Sequence, residues 1–190
     1  MYHFFAYLSR MKYIDRWSLM RNSVIENIQE HSHMVAVLAH ALAVIRREVF
    51  GGSCDPNACA AAALFHDAPE ILTGDLPTPI KYFNPAIREA YQQVESVAAD
   101  RLLGMLPKEL VGAYRPLFHE EDQEVKTIVK AADKLAAYIK CVEERAAGNR
   151  EFADAERQTR QALDAMELPE IEYFLQNFGE SFGLTLDELK

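Results

Sequence analysis

Long apolar runs are missing from this 190-residue chain. None approaches the roughly 18 residues needed to cross a bilayer, so no membrane span is expected. The N-terminus has aromatic residues but no basic segment leading into an uninterrupted apolar core, and no signal peptide is expected. Cysteine is scarce: Cys54, Cys59 and Cys141 cannot all pair within one chain, and none sits in a CxxC. That excludes a disulfide framework and a zinc knuckle, and reduced thiols in a cytoplasmic setting are the expectation. Positive charge is also short, with 20 Lys and Arg against 29 Asp and Glu, a net −9. A DNA- or RNA-binding surface needs the opposite balance. A small phosphorylated substrate is still allowed, because a metal and one or two local cations can bind it. Nothing repeats, no segment is low in complexity, and no run has the strict alternation of a half-buried strand.

The composition that remains, 49% hydrophobic and 26% charged, is ordinary for a globular protein. Residues 1–190 are enough for one domain with a proper core. Helical periodicity dominates. His31, Val35, Leu38, Leu42 and Ile45 fall on one stripe of an amphipathic helix, which Gly51-Gly52 ends. Asp55-Pro56 reads as an N-cap followed by proline at the first helical position, opening a helix through Ala60 to Phe65. Pro69 disfavours helical geometry at Ala68, so this helix should stop just after His66-Asp67. Thr73 to Pro79 reads as a stiff loop, and helices are expected at about 84–104, 108–117, 121–147, 151–166 and from 169. The aromatic final segment (Tyr173, Phe174, Phe178 and Phe182) is assigned to the core rather than to an interface. The fold class is all-α.

Four features carry chemistry. His66 and Asp67 are adjacent, and imidazole and carboxylate both ligate divalent metals. Neighbours on a helix point about 100° apart, so an ion would have to sit between them with further ligands from other elements. His31 heads the stripe described above and faces inward, as either a ligand or a hydrogen-bonded core residue; His33 faces out. Asp133 lies on the flank of a stripe made by Val125, Val129, Ala132, Ala136 and Ile139. A carboxylate at the margin of a buried face needs a partner, either an ion or a basic side chain. Arg16-Trp17 offers a guanidinium fork for phosphate beside the chain's only tryptophan. Asp75 and Thr78 could hydrogen-bond a sugar or simply organise their turn. Glu70, three residues after Asp67, shares its side if the chain stays roughly helical through Pro69.

The order histidine, His-Asp, distant aspartate resembles the HD-domain phosphohydrolases. The resemblance extends through His66-Asp67-Ala68-Pro69-Glu70-Ile71-Leu72-Thr73-Gly74-Asp75-Leu76-Pro77-Thr78-Pro79, with Arg16-Trp17 and Glu30-His31-Ser32. Over essentially the whole chain it is similar to the bacterial HD-domain 5′-deoxynucleotidases.

That resemblance implies an HD-domain-like helical bundle with one divalent metal, cobalt, manganese or zinc, on His31, His66, Asp67 and Asp133. It implies hydrolysis of deoxyribonucleoside 5′-monophosphates, broad for the base and selective against ribonucleotides. Glu70 would be the general base or water-positioning group, and Arg16 would orient the phosphate. Trp17 would pack against the sugar and leave no room for a 2′-hydroxyl. Asp75, Leu76, Pro77 and Thr78 would contact the sugar from the other side, with His31, Asp67 and Asp133 also at the substrate. A cytoplasmic homodimer is implied, with no nucleic-acid polymer and no membrane as partner. Two other readings stay open: an HD phosphohydrolase for cyclic nucleotides, nucleoside triphosphates or an alarmone, and a helical regulator that binds nucleotide or metal without catalysis.

Overall fold

The computed structural model describes residues 1–81 and 83–190, with the side chains of residues 78 and 79 outside that description. In chain order the helices are α1 (Phe4–Leu8), α2 (Ile28–Glu48), α3 (Pro56–Phe65), α4 (Glu70–Thr73), α5 (Thr78–Lys81), α6 (Pro85–Leu103), α7 (Lys108–Phe118), α8 (Gln123–Ala146), α9 (Ala153–Asp164) and α10 (Pro169–Phe178). Among the described residues there is no strand. An isolated antiparallel bridge joins Asp15 to Asn27. The fold is all-α, as expected.

Local chemistry explains the element ends. Asn27 starts α2 with a capping box: its side chain accepts from the backbone of Gln29 and Glu30, and the Glu30 side chain accepts from the Asn27 backbone. At the other end Gly51 takes φ +72° while Gly52 N donates to Arg46 O, closing the helix with a residue free to enter the left-handed region. Asp55 caps α3 through Asn57 N, with Pro56 following. Asp122 caps α8 through the backbone of Glu124 and Val125.

The stripe His31, Val35, Leu38, Leu42 and Ile45 is buried along its whole length, and His33 is exposed. α2 packs against α3 and α8. On α8 the buried face is wider than the expected stripe and also takes Ile128, Ala131 and Leu135. The helix is covered by α2, α3 and α9 together, so more of its circumference turns inward. Two apolar clusters result. One gathers α2, α3, α8 and α10; the other gathers Phe4, Met11, Ile28, Ala68, Leu102, Leu103 and Leu106. Cys54, Cys59 and Cys141 are buried free thiols.

Two expectations need correction. The stretch Thr73 to Pro79 is not one loop: Gly74, at φ +75°, ends α4, and Ile80 N and Lys81 N donate to Pro77 O to form α5. A proline in the first turn of a helix lacks only an N–H that would be unpaired anyway, so Pro79 does not prevent it. Phe178 is 48% exposed rather than in the core, although its ring lies 5.2 Å from that of buried Phe174.

Candidate active site

The two apolar clusters meet where the polar residues are. His31 stands one turn from Ile28 of one cluster and one turn from Val35 of the other. His66 and Asp67 lie between Ala63 of the first and Ala68 of the second. Asp133 adjoins Ala132 on α8. The seam therefore draws its side chains from three separate elements.

His31 Nε2 is 3.0 Å from Asp133 Oδ1 and 3.6 Å from Asp67 Oδ2. His66 Nε2 is 3.2 Å from Asp67 Oδ2 and 4.0 Å from Asp133 Oδ1. One ligand atom each from His31, His66 and Asp133 lies within 4.8 Å of the others. His66 Nδ1 is 2.7 Å from Ala63 O, so it donates there and the lone pair is left on Nε2. That Nε2 is buried, makes no hydrogen bond among the described residues, and faces carboxylates. A buried ring nitrogen with a fixed tautomer and no donor to accept from fits a metal ligand. Two imidazoles and two carboxylates form a mixed N/O set suited to a first-row divalent ion.

The electrostatics agree with that fit. Burial works against a charge on His66, but Asp67 outweighs it, helped by Asp133 and the Ala63 carbonyl, and pushes its pKa up to about 9. For Asp133 burial works upward, yet its hydrogen bond to His31 and the two imidazoles draw it down to about 2. Burial opposes ionisation of Asp67 as well, while His66, His31 and Arg16 hold it well below the usual carboxylate range. Without a metal, a proton on the imidazole supplies the positive charge that the carboxylates demand.

The chain after α3 explains how Asp67 and Glu70 come to one side. Residues 66–69 continue in tight turns, with Ala68 N on Phe65 O and Glu70 N on Asp67 O, both at 3.0 Å. Pro69 keeps a helical backbone at φ −56°, ψ −26°. Residues three apart eclipse in such i→i+3 turns, so Glu70 follows Asp67. Glu70 is 4% exposed, and its Oε2 has no hydrogen-bond partner among the described residues. Burial first, then the charges of Asp67 and Asp75, push its pKa up to about 9 against the pull of Arg16 and Lys81. Asp75 is shifted upward by burial and by Asp67, with Arg16 opposing. Leu76 and Pro77 are half-buried in the connection to α5, and the Thr78 side chain lies outside the described residues.

Arg16 reaches the cluster from the loop before α2. Its Nη1 donates to Asp67 Oδ2 at 3.2 Å and its Nε to Glu26 Oε2 at 3.2 Å. Trp17 is half-buried, has φ +57°, donates from Nε1 to Glu26 Oε2 at 3.2 Å, and packs 5.3 Å from the Phe152 ring. The loop is tied to the body by a buried pair on α8. Glu144 accepts from Ser23 N at 2.8 Å, from Val24 N at 3.2 Å and from Asn149 Nδ2 at 2.8 Å, while Lys140 Nζ donates to Glu144 and to Val24 O.

Glu26, Phe152, Lys140 and Glu144 were not signalled by the sequence. Glu26 lies beside the Asn27 capping box, and nothing local links it to Arg16. Only a lysine and a glutamate four apart on an inward face of α8 hint at Lys140–Glu144.

Comparison with known proteins matches residues 3–182 to a family model described as 5′-deoxynucleotidase YfbR-like. A 5′-deoxynucleotidase of Vibrio cholerae is 52% identical over 189 residues, which is 98% of this chain and 97% of the relative. The 5′-deoxynucleotidase YfbR of Shigella boydii is 49% identical over 189 residues, 98% of this chain and 95% of the relative. Among solved structures, an HD-domain phosphohydrolase from Listeria innocua superposes with a TM-score of 0.80 at 24% identity, covering 95% of this chain and 88% of that one. A cyanophage S-2L HD phosphohydrolase, bound to dA and one catalytic Zn²⁺, superposes with a TM-score of 0.66 at 19% identity, covering 95% and 96%. At those identities the structural likeness bears on the fold alone.

Proposed function

The chain belongs to the YfbR-like 5′-deoxynucleotidase family, and from that premise we propose that it hydrolyses deoxyribonucleoside 5′-monophosphates to a deoxynucleoside and inorganic phosphate at one divalent metal. The observation that carries this reading is the meeting of His31, His66, Asp67 and Asp133 beside a guanidinium and a buried carboxyl. Those four side chains would hold the ion. When bound, it offers a Lewis acid for the phosphoryl oxygens and a lowered pKa for an attacking water.

The rest of the work falls to the chain. Phosphate monoesters hydrolyse extremely slowly unaided, and the transition state needs positioning and charge stabilisation above all. Arg16 offers Nη2 to the phosphate while Glu26 takes Nε and Asp67 takes Nη1. Glu70, protonated in the metal-free protein, would hold the attacking water in line and take its proton once the charge of the bound cation draws its pKa down. As the new P–O bond forms, the bond from phosphorus to O5′ breaks, that oxygen takes a proton from solvent water, and Glu70 returns its own proton to solvent. Trp17 lies against the sugar and excludes a 2′-hydroxyl, and Asp75 accepts from the 3′-hydroxyl, with Leu76, Pro77 and Thr78 completing that wall. His31, Asp67 and Asp133 adjoin the phosphate through the site they share. No residue is assigned to read the base.

The metal in this reading is cobalt, manganese or zinc, since a mixed N/O set accepts each. The protein is read as a cytoplasmic homodimer. Val94 and Val97 of α6 and the nearby Phe83, 52%, 68% and 75% exposed, are apolar side chains a second copy would cover. A triphosphate substrate is disfavoured, because Lys81 is already engaged by Glu95 at 2.9 Å.

A panel of deoxy- and ribonucleoside monophosphates, cyclic nucleotides and triphosphates, assayed for released phosphate with cobalt, manganese or zinc and with chelator, tests the proposal. Chelator-sensitive release from deoxynucleoside monophosphates is the expected result. Preferential turnover of another class, or silence across the panel, overturns it.

A further inference from the structure

We propose that Glu26 is a positioning residue that couples phosphate binding to sugar discrimination by holding Arg16 and Trp17 on a single carboxylate oxygen. The proposal rests on the deoxynucleotidase reading above. Glu26 Oε2 accepts from Arg16 Nε and from Trp17 Nε1, each at 3.2 Å. Adjacent residues in an extended or turning segment send their side chains in different directions, so one acceptor shared by both fixes their relative aim. The backbone repeats the linkage: Arg16 N donates to Glu26 O at 2.9 Å, and Ile28 N donates to Ile14 O at 3.0 Å around the Asp15–Asn27 bridge.

Two further features point the same way. Trp17 has φ +57°, a left-handed conformation that a bulky L residue holds only where its surroundings impose it. Its carbonyl accepts from Met20 N at 2.9 Å and Asn22 Nδ2 at 3.4 Å, while the Glu26 carboxylate on its indole N–H and the Phe152 ring 5.3 Å away hold the side chain. Arg16, for its part, lies between two carboxylates. Asp67 takes Nη1 and Glu26 takes Nε, so the guanidinium is balanced rather than drawn wholly onto the proposed metal ligand. A charged acceptor is required, because only a carboxylate gives both donors a charge-assisted bond without offering a competing N–H.

Glu26→Gln and Glu26→Asp in the full chain test this. The lone tryptophan makes fluorescence a direct report on Trp17, independent of substrate and metal. For Glu26→Gln the expected result is a red-shifted emission with greater iodide quenching, a KM for dAMP raised about tenfold, a kcat changed much less, and a dAMP/AMP preference reduced about tenfold. Bound metal per chain should be unchanged, which separates loss of positioning from loss of the site. Glu26→Asp keeps the charge one methylene short and should show the same changes to a smaller degree. Emission and preference both equal to wild type overturn the proposal, and so does a raised KM with an unchanged preference. If Glu26→Gln does not fold, the same outcomes are decided on Glu26→Asp. Failure of the wild type to release phosphate from dAMP would instead remove the underlying reading, and unchanged emission in the variants would still overturn the hold on Trp17.

Discussion

His31 Nε2 and Asp133 Oδ1 lie 3.0 Å apart although 102 residues separate them in the chain. α2 and α8 pack directly, and the contact is where the inward stripe of one meets the flank of the other. His31 is wholly buried while the Asp133 side chain is 40% exposed, so the pair spans the wall between core and solvent. An ion held there would be rigidly backed on one side and open on the other, as a catalytic metal requires.

Asp133 is accordingly the proposed ligand to remove with least risk to folding. Asp133→Asn should lower divalent metal from one per chain to a small fraction, measured by elemental analysis after dialysis. Phosphate release should fall by about a thousandfold, the several kcal/mol that a Lewis acid supplies to a phosphoryl transition state. Full metal content in the variant would take Asp133 out of the ligand set.

Metal binding should compete with protons. The His66 pKa stands at about 9 in the metal-free protein, and an ion binds only the neutral imidazole. Below that pH each ion bound must expel a proton, so apparent affinity climbs about tenfold per pH unit toward pH 9 and then levels off. Calorimetry in buffers of differing ionisation enthalpy should register about one proton released per ion near neutral pH. A pH-independent affinity would contradict this picture.

Glu70 should trade stability for function. Its folded pKa of about 9 lies far above the ordinary 4.5, so between those values the folded state keeps a proton that the unfolded chain gives up. Unfolding is then increasingly favoured as pH rises from 4.5 to 9, and the destabilisation is complete above 9. Glu70→Gln removes that penalty. The metal-free variant should be more stable than the wild type near pH 9, by on the order of a few kcal/mol, and similar to it near pH 4. Its turnover should fall about 10²- to 10⁴-fold, the usual contribution of a general base. Chemical denaturation at the two pH values checks the first half, and phosphate release the second.

Trp17→Ala should admit ribonucleotides. Opening space beside the sugar should reduce the dAMP/AMP ratio of kcat/KM about 10- to 100-fold, mainly through gain on AMP. An unchanged ratio in a paired assay would remove Trp17 from discrimination.

The loop carrying Trp17 should depend on Glu144. This carboxylate is 2% exposed, and its bonds to Lys140, Asn149 and the backbone of Ser23 and Val24 outweigh burial and hold its pKa down to about 2. Glu144→Gln leaves the Lys140 ammonium buried without its counter-charge, at a cost of about 3–5 kcal/mol measured by urea denaturation. The wild-type contribution is fully present above the ordinary pKa of 4.5 and fades as pH falls toward 2, so the difference between the two proteins should shrink in acid.

Much of this was legible in the sequence because it is local. The stripe from His31 to Ile45 and the Asp55-Pro56 start each depend on residues within a few positions, and periodicity and capping chemistry encode them directly. Where competing local signals met, the reading was coarser. Two prolines and a glycine suggested one loop from 73 to 79, but the Pro77 carbonyl starts a helical turn that composition alone does not reveal.

His66-Asp67 by itself determined that a metal was chemically possible, and the wider motif named the residues to expect around it. Tertiary structure decided how those residues meet: Asp133 delivered to His31 from α8, Arg16 brought to Asp67 from the loop before α2, and Arg16 and Trp17 leaning on Glu26. The reason is range. A helix is specified by hydrogen bonds between residues three and four apart, whereas the distance from His31 to Asp133 is set by how two helices pack, and no local pattern contains that distance.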